Sequence, residues 1–334
     1  MTIELESIPR FTVEEALAIA REEYGLSGAA AALPSERDQN FLISDPGRGK
    51  FVLKIANRDD SAELLDFQHQ AMRRVAASSC MASVPEIVPS KRGADIVRTC
   101  APTGIAHCVR VLGWMEGTVL AECTPRSAPL LESIGTVMAQ VDLALERFAH
   151  PAMHRTLQWD LRRAGQAQVH AGLLPRLWRD RVELAFARWK EIDWTILRHG
   201  VIHGDANDNN VLVTGGRMSG LLDFGDSVYS ATVCELAIAL AYAMLREPRP
   251  LEAARPLIRA YHRENPLTQA EQEALFALIL ARLAASLCYA AHNAARNPGD
   301  PYQVVTEAAA KELLQRLEAY PPHAALAAMR EACG

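Results

Sequence analysis

Two stretches of this chain, His203-Gly204-Asp205-Ala206-Asn207-Asp208-Asn209-Asn210 and Leu222-Asp223-Phe224-Gly225-Asp226, decide how the rest is interpreted. Between them lie two short runs of strand-forming residues, separated by Thr214-Gly215-Gly216-Arg217. Paired glycines favour a tight hairpin turn because glycine adopts positive φ at no steric cost. The sequence therefore predicts a β-hairpin whose open ends carry the two stretches.

Three polar side chains are expected to meet at the open end of this hairpin. Asn210 precedes the first strand and Asp223 follows the second, so they should lie side by side, with Asp205 held above them by the preceding loop. Mg²⁺ prefers carboxylate and amide oxygens as ligands. Phosphoryl transfer also needs a carboxylate that orients the attacking hydroxyl and accepts its proton. The pattern predicts Asn210 and Asp223 as metal ligands and Asp205 as the general base.

The same residues resemble a known superfamily. HGDxxxxN followed by a spaced DFG is typical of the aminoglycoside phosphotransferase and choline kinase superfamily, whose protein-kinase relatives have HRDxxxxN. Within it, the chain looks closest to the hydroxylysine kinase group in 36–41, in 203–210, and in 223–229 with the following Cys234-Glu235-Leu236-Ala237. The resemblance implies a protein-kinase-like fold. It also implies a kinase that transfers the γ-phosphoryl group of ATP or GTP to an amino alcohol or hydroxy amino acid, with hydroxylysine, homoserine and choline as models.

The order of helix and strand patterns agrees with that implication. Short strand-like segments and one helical stretch, 61–78, fill the first third of the chain after a capping box at Thr12–Glu15. From Thr124 onward, long alanine- and leucine-rich amphipathic stretches dominate: 127–149, 174–190, 232–246, 250–263, 268–296 and 303–319. We predict an α+β, two-lobe fold. A small β-rich nucleotide-binding lobe spans 1–116, and a larger, mainly helical lobe for catalysis and acceptor binding spans 117–334.

The resemblance implies a lysine on the third strand of the small lobe, and Phe51-Val52-Leu53-Lys54-Ile55 supplies it. Strand alternation puts Val52 and Lys54 on one face, where Lys54 would contact the α- and β-phosphates and Val52 would cover the base. Most relatives pair this lysine with a glutamate on the small-lobe helix, but this chain has Gln68 there. Either the Gln68 carbonyl oxygen accepts from Lys54 and orients it, or the enzyme is weak.

The other nucleotide contacts implied by the resemblance come from a loop, a connector and two strands. The loop 33–40 lacks the glycines of a protein-kinase phosphate loop, so side chains would have to contribute. The candidates are Ser35 and Arg37 for the phosphates, the backbone of Trp114 and Met115 for the nucleobase edge, and Leu212 and Leu222 for the floor under the base. Such contacts do not separate ATP from GTP.

The acceptor must approach Asp205 from the helical lobe, and an ammonium group there would need a carboxylate or an aromatic face. Asp226 and Tyr229 follow the DFG element, and Trp159 precedes a predicted helix, so these three are the substrate candidates. Tyr289, His292 and Asn293 lie on adjacent helical turns late in the chain, where packing explains them equally well. Glu235 is expected to anchor the catalytic loop.

Composition limits the remaining possibilities. The chain has 334 residues and a net charge of −5 without a basic stripe, so nucleic-acid binding has no electrostatic support. Its seven cysteines include no CxxC pair, and the N-terminus is no secretory signal, which indicates reduced thiols in a cytoplasmic protein. No membrane span is predicted. The apolar helices near the C-terminus leave monomer and homodimer open.

Three other functions stay open from the sequence. The first is an aminoglycoside antibiotic phosphotransferase of the same fold. The second, suggested by Gln68 alone, is a nucleotide-binding pseudokinase with a regulatory role. The third is a metal hydrolase that uses His203 and Asp205 as ligands, with His199 as a further histidine.

Overall fold

The computed structural model describes residues 8–35, 37–101, 104–296 and 307–334. Glu36 and the beginning of the last predicted helix, residues 303–306, lie outside the described residues. The chain forms two compact units. The first contains the residues up to Arg73 and Val84–Glu116, and the second contains Arg74–Ser83 and Gly117–Gly334. The segment 74–83 therefore packs with the second unit, although it lies in the first third of the chain.

The first unit is an antiparallel sheet with two helices. Its strands follow the order β1-β2-β3-β6-β4, and β5 also pairs with β6. The strands are β1 (Ala29–Leu33), β2 (Gln39–Asp45), β3 (Gly49–Ile55), β4 (Ile87–Val88), β5 (Val97–Cys100) and β6 (Ala106–Gly113); the helices are α1 (Val13–Tyr24) and α2 (Ala62–Ala76). The predicted capping box is confirmed, because the Thr12 and Glu15 side chains each accept the other's backbone N–H. The sequence implied a first strand before the loop 33–40 but gave no bounds for β1.

One face of this sheet forms a hydrophobic core with α1. Leu53 and Ile55 of β3 and Val109 and Val111 of β6 are fully buried in that core. Since side chains alternate along a strand, Lys54 and Arg110 lie on the other face. The pairing of β3 with β6 places Lys54 directly opposite Arg110.

The second unit is mainly helical. Its helices are α3 (Ala128–Leu145), α4 (Arg176–Lys190), α5 (Val233–Ala243), α6 (Pro250–Glu264), α7 (Gln269–Arg296), α8 (Glu307–Glu318) and α9 (Pro322–Cys333). Its strands are β7 (Thr118–Val119), β8 (His199–Ile202), β9 (Val211–Thr214), β10 (Arg217–Leu221) and β11 (Val228–Ala231). Helices α3 to α8 confirm the six predicted stretches, whereas α9 and the pairing of β11 with β8 were not predicted.

Helix α7 is the central element of this unit. By length and composition alone it could cross a membrane, but 78% of its most apolar window is buried inside the protein. That burial is typical of a core helix. It contacts α4, α5, α8 and α9 as well as the 3₁₀ helix Leu161–Leu173. A charged side chain on α7 is therefore held in place from several directions.

We expect Gly135 to be essential for packing α3 against α6. A Cβ at this position would lie 2.1 Å from the backbone carbonyl oxygen of Leu257, which has no room to move. Gly135→Ala should therefore lower the free energy of unfolding by about 1–3 kcal/mol, the usual cost of overpacking. The matched control is Gly172→Ala, where an added Cβ meets nothing within 4 Å. Urea denaturation measures both; equal effects would contradict the close approach of α3 and α6.

Candidate functional site

The predicted hairpin is confirmed. Strands β9 and β10 pair antiparallel, and Gly215 and Gly216 both have positive φ, 59° and 73°. At the open end, the Leu222 backbone N–H donates to the Asn210 carbonyl at 2.8 Å. Asp223 therefore leaves the hairpin beside Asn210, as the sequence predicts.

Asp205 is bound to the same end of the hairpin through its side chain. The Asn210 Nδ2 donates to the Asp205 backbone oxygen at 2.9 Å and to the Asp205 Oδ2 at 2.8 Å. The Asn207 Nδ2 donates to the same Oδ2 at 2.9 Å. These bonds leave the Asn210 Oδ1 as an acceptor and fix Asp205 next to it.

The other carboxylate oxygen of Asp205 meets a cation that sequence reasoning missed. The Arg282 Nη2, from α7, donates to the Asp205 Oδ1 at 2.9 Å. Burial and the Asp226 carboxylate raise the pKa of Asp205 to about 8, against the opposing effect of Arg282. The Asp205 side chain keeps 20% of its surface exposed, so a hydroxyl can still reach it.

Arg282 is enclosed by aromatic rings. Its guanidinium lies 4.6 Å from the ring centroid of Trp159 and 5.4 Å from that of Tyr242, and its side chain is only 3% exposed. Trp159 also meets Tyr289 edge to face at 4.8 Å. Trp159, one of the predicted acceptor contacts, therefore packs on Arg282, and Arg282 in turn bonds Asp205.

Asp223 has a strained backbone that aims its side chain. Its φ of 53° is uncommon for a residue other than glycine, and its Oδ1 accepts from the Gly225 backbone N–H at 3.0 Å. Such outliers are often found at functional sites. Phe224, beside it, is buried edge to face on the His203 ring at 4.7 Å. The DFG turn is thus fixed to the HGD loop.

Asn210 and Asp223 suit a magnesium ion that arrives with a nucleotide. Among the described residues, no group of three or more His, Cys, Asp and Glu side chains could hold a metal ion. Mg²⁺ usually takes one or two protein oxygens and completes its shell with water and substrate phosphates. The Asn210 Oδ1 and the Asp223 carboxylate fit that requirement.

His203 has no nitrogen left for a metal. Its Nδ1 accepts from the Asp205 backbone N–H at 3.2 Å, so its Nε2 carries the proton and donates to the Leu222 carbonyl at 2.9 Å. The hydrolase hypothesis, which needed His203 as a ligand, is therefore wrong. The histidine instead links the loop 203–209, the catalytic loop, to Leu222, the residue that follows β10.

Buried carboxylates anchor the catalytic loop. The Gly204 N–H donates to the Glu235 Oε2 at 2.8 Å, which confirms the anchoring role expected for Glu235. Gly204 has a φ of 81°, and a Cβ there would lie 2.6 Å from the Asp226 carbonyl oxygen. Asp208 is fully buried, and its Oδ2 lies 3.6 Å from the Arg126 Nη2 and 3.9 Å from the Arg246 Nη1. Sequence reasoning missed this ion triad because both arginines are distant in the chain.

The two other acceptor candidates differ in position. The Asp226 carboxylate is close enough to Asp205 to raise the pKa of Asp205. Its Oδ1 lies 3.8 Å from the Arg155 Nη2. Tyr229 lies on β11 opposite Val201, and its ring packs against His154 and His199. These contacts indicate a packing role for Tyr229 rather than contact with Asp205.

The two leucines expected under the nucleobase lie on the hairpin. Leu212, on β9, is 3% exposed and pairs with Gly220 of β10. A Cβ on Gly117 would be 3.1 Å from the Leu212 Cβ, so the chain passes very close to β9 there. Leu222 is half-buried, and its backbone serves both Asn210 and His203.

In the first unit, Lys54 lies in a row of polar residues across the sheet. Its partners are Asn40 on β2 and Arg110 on β6, and the neighbouring residue Val52 is half-buried. Lys54 is 6% exposed and Arg110 only 3%. The Arg110 Nε and Nη1 are buried and have no hydrogen-bond partner among the described residues. Sequence reasoning missed Arg110 because a strand pattern does not reveal which strands pair.

The hydrogen bond expected from Lys54 to Gln68 is absent. Gln68 is 1% exposed on α2, but its Oε1 is buried without a hydrogen-bond partner in the described part of the chain. On α2, Gln68 is buried together with Ala71, Met72 and Val75. Gln68 therefore faces inward without orienting Lys54.

The loop and connector candidates are placed as follows. Ser35 is exposed and Arg37 half-buried, and the Asn57 side chain donates to the Arg37 carbonyl at 3.5 Å. The Trp114 N–H donates to the Lys50 carbonyl at 3.1 Å. The predicted contact with the nucleobase edge would then come from the Trp114 carbonyl and the backbone of the half-buried Met115.

Comparisons with known proteins give the family. The model of the phosphotransferase enzyme family matches residues 30–274. Hydroxylysine kinase from Mus musculus is 32% identical over 340 residues, covering 92% of this chain and 90% of the mouse protein. The chain belongs to the phosphotransferase enzyme family. Homoserine kinase from Nitrobacter winogradskyi is 34% identical over 252 residues, covering 71% of each chain.

A solved structure is similar to this chain in its fold. Amicoumacin kinase in complex with AMP-PNP, Ca²⁺ and Ami has a TM-score of 0.72 and 17% identity, covering 94% of this chain and 97% of that one. The predicted α+β, protein-kinase-like fold is confirmed. The chain is a small-molecule kinase that transfers a phosphoryl group to a hydroxyl and uses a nucleotide as co-substrate. An antibiotic kinase or a pseudokinase is not favoured.

We expect Asp205→Ala to lower kcat by a hundredfold or more, on the order expected for removal of a general base. The matched control is Asn209→Ala in the same loop, where the residue is exposed and its backbone alone bonds Asn207. Steady-state kinetics on both variants, with circular dichroism as a check of folding, tests the assignment. Retained activity in Asp205→Ala would exclude this residue as the base.

His69 should make stability dependent on pH. It is fully buried on α2, and burial together with Arg110 and Arg73 lowers the pKa of His69 to about 3. In the unfolded chain His69 takes up a proton near pH 6.5, whereas in the folded protein it does so only near pH 3. The stability that comes from a neutral, buried His69 is therefore complete above pH 6.5 and is lost as the pH falls toward 3. His69→Leu should remove up to about 1.4 kcal/mol per pH unit from the slope of unfolding free energy in that window. The exposed His323, changed to Gln, serves as the control; identical slopes in all three proteins would contradict the burial of a neutral His69.

Proposed function

We propose that this kinase phosphorylates a small hydroxy amino acid or amino alcohol, with 5-hydroxylysine and homoserine as the first acceptors to test. The observation that carries the proposal is the junction of Asp205, Asn210 and Asp223 at the open end of the hairpin. Similarity to hydroxylysine kinase over 92% of the chain supports the choice of acceptor class.

In the proposed reaction the acceptor hydroxyl oxygen attacks the γ-phosphorus of ATP or GTP. The bond from the γ-phosphorus to the bridging oxygen breaks, the nucleoside diphosphate leaves, and Asp205 takes the hydroxyl proton. Asn210 and Asp223 hold Mg²⁺, which neutralises charge on the phosphates. No covalent intermediate with the protein is required, because positioning and charge account for this type of catalysis.

Two cations on one face of the first unit support nucleotide binding there. Lys54 and Arg110 lie opposite each other on β3 and β6 and are both buried. We propose that Lys54 contacts the nucleotide phosphates and that Ser35 and Arg37 contribute from the loop. The proposed base contacts of the first unit are Val52, Met115 and the Trp114 carbonyl, and those of the second unit are Leu212 and Leu222. A cytoplasmic location and a monomeric or homodimeric state stay predictions.

The direct test is an assay of nucleoside diphosphate release with Mg²⁺, run separately with ATP and GTP. The acceptor panel contains 5-hydroxylysine, homoserine, ethanolamine, choline and kanamycin. We expect turnover with a hydroxy amino acid and none with kanamycin, since no dense acidic run is present to bind a polycation. Turnover of kanamycin alone, or nucleotide binding with no acceptor used, would overturn the proposal.

A further inference from the structure

Arg282 has more hydrogen-bond donors than the described residues satisfy. Arginine carries five N–H donors. The Nη2 group donates to the Asp205 Oδ1 at 2.9 Å and to the Tyr242 hydroxyl at 3.3 Å. The Nε and Nη1 groups are buried, and neither has an acceptor in the part of the chain that the structure describes.

An unsatisfied guanidinium in this position needs an explanation. Burying a charged donor without an acceptor is unfavourable, and native structures contain few such groups. Although burial opposes it, Tyr242 and Asp205 raise the pKa of Arg282, so the group stays charged. A neutral side chain at this place would have avoided the penalty.

The rings around Arg282 fix it in place. Trp159 and Tyr242 both lie within cation–π distance of the guanidinium, and Trp159 is in turn held by Tyr289. Arg282 is part of the central helix α7, which has neighbours on several sides. Its unpaired donors are therefore preorganised beside the general base.

We propose that Arg282 binds the carboxylate of the acceptor through its Nη1 group, and that it thereby selects hydroxy amino acids over amino alcohols that lack a carboxylate. This inference rests on the proposed function and names its substrate class more closely. One guanidinium would then hold Asp205 and the acceptor carboxylate together. In a short hydroxy amino acid the reacting hydroxyl is only a few bonds from the carboxylate, so the shared arginine brings that hydroxyl to Asp205.

The expected selectivity follows from the unpaired donors. A site built to bond a substrate group discriminates strongly against an analogue without that group, because its own polar atoms stay unpaired. The wild-type protein should therefore prefer the carboxylate-bearing acceptor by about a hundredfold or more in kcat/KM. Arginine suits this arrangement better than lysine because its planar guanidinium holds separate donors for two carboxylates in a fixed geometry.

Two pairs of acceptors test this directly. Homoserine is compared with 3-amino-1-propanol, and 5-hydroxylysine with 1,5-diamino-2-pentanol; each second compound lacks only the carboxylate. The wild-type ratio of kcat/KM within a pair needs no variant and is the first readout. In Arg282→Gln the ratio should fall by at least tenfold, with most of the loss on the carboxylate-bearing member. Arg282→Lys should keep an intermediate ratio, since it retains the charge but not the fixed planar donors.

The control variant is Tyr242→Phe, which removes one partner of the Nη2 group and keeps the ring; it should preserve the wild-type ratio. If Arg282 served only to position Asp205, Arg282→Gln would lower both members of a pair by the same factor, and the inference would be wrong. A wild-type protein that prefers the decarboxylated acceptors would also overturn it, while leaving the amino alcohol kinase intact. Turnover of neither member of either pair would instead reject the proposed function itself.

Discussion

The side-chain amide of Asn210 donates to both the backbone carbonyl and the carboxylate of Asp205. The backbone carbonyl of Asn210 accepts from the Leu222 N–H at the end of the hairpin. These three bonds join the loop that carries the base to the strands that carry the metal ligands. Because a hairpin fixes its two ends relative to each other, Asp223 is placed by the same bonds. Gly204 and Glu235 secure the far end of the loop, where only glycine fits against Asp226.

Electrostatics adds a second constraint on the same carboxylate. Burial and Asp226 favour the neutral form of Asp205, whereas Arg282 favours the charged form. A general base is most effective when its pKa lies near the working pH. Groups that raise the pKa of Asp205 and a group that lowers it together can set it in that range. Arg282 favours the charged form because α7 and the rings of Trp159 and Tyr242 hold it against Asp205.

What the sequence predicts here is local, and what it misses depends on distant partners. The hairpin, the capping box and the positions of Asp205, Asn210 and Asp223 follow from residues within about twenty positions of one another. Arg282 lies 77 residues from Asp205, so no spacing rule connects them. It did leave a signal, a lone arginine within a long apolar stretch of α7. Strand β1 is nearly all alanine, a strong helix former, and is a strand only because it pairs with β2.

Gln68 shows why a motif comparison needs the surrounding charges. Taken alone, the loss of the usual glutamate suggests a weakened nucleotide site. The sheet, however, places a second buried cation, Arg110, directly opposite Lys54. Gln68 is neutral, whereas the usual glutamate would carry a negative charge. The positive potential that Lys54 and Arg110 offer to a phosphate is therefore not reduced by this residue of α2. His69, held neutral by burial and by Arg110, adds none either. The substitution at Gln68 therefore agrees better with a different arrangement of cations around the phosphates than with an inactive relative.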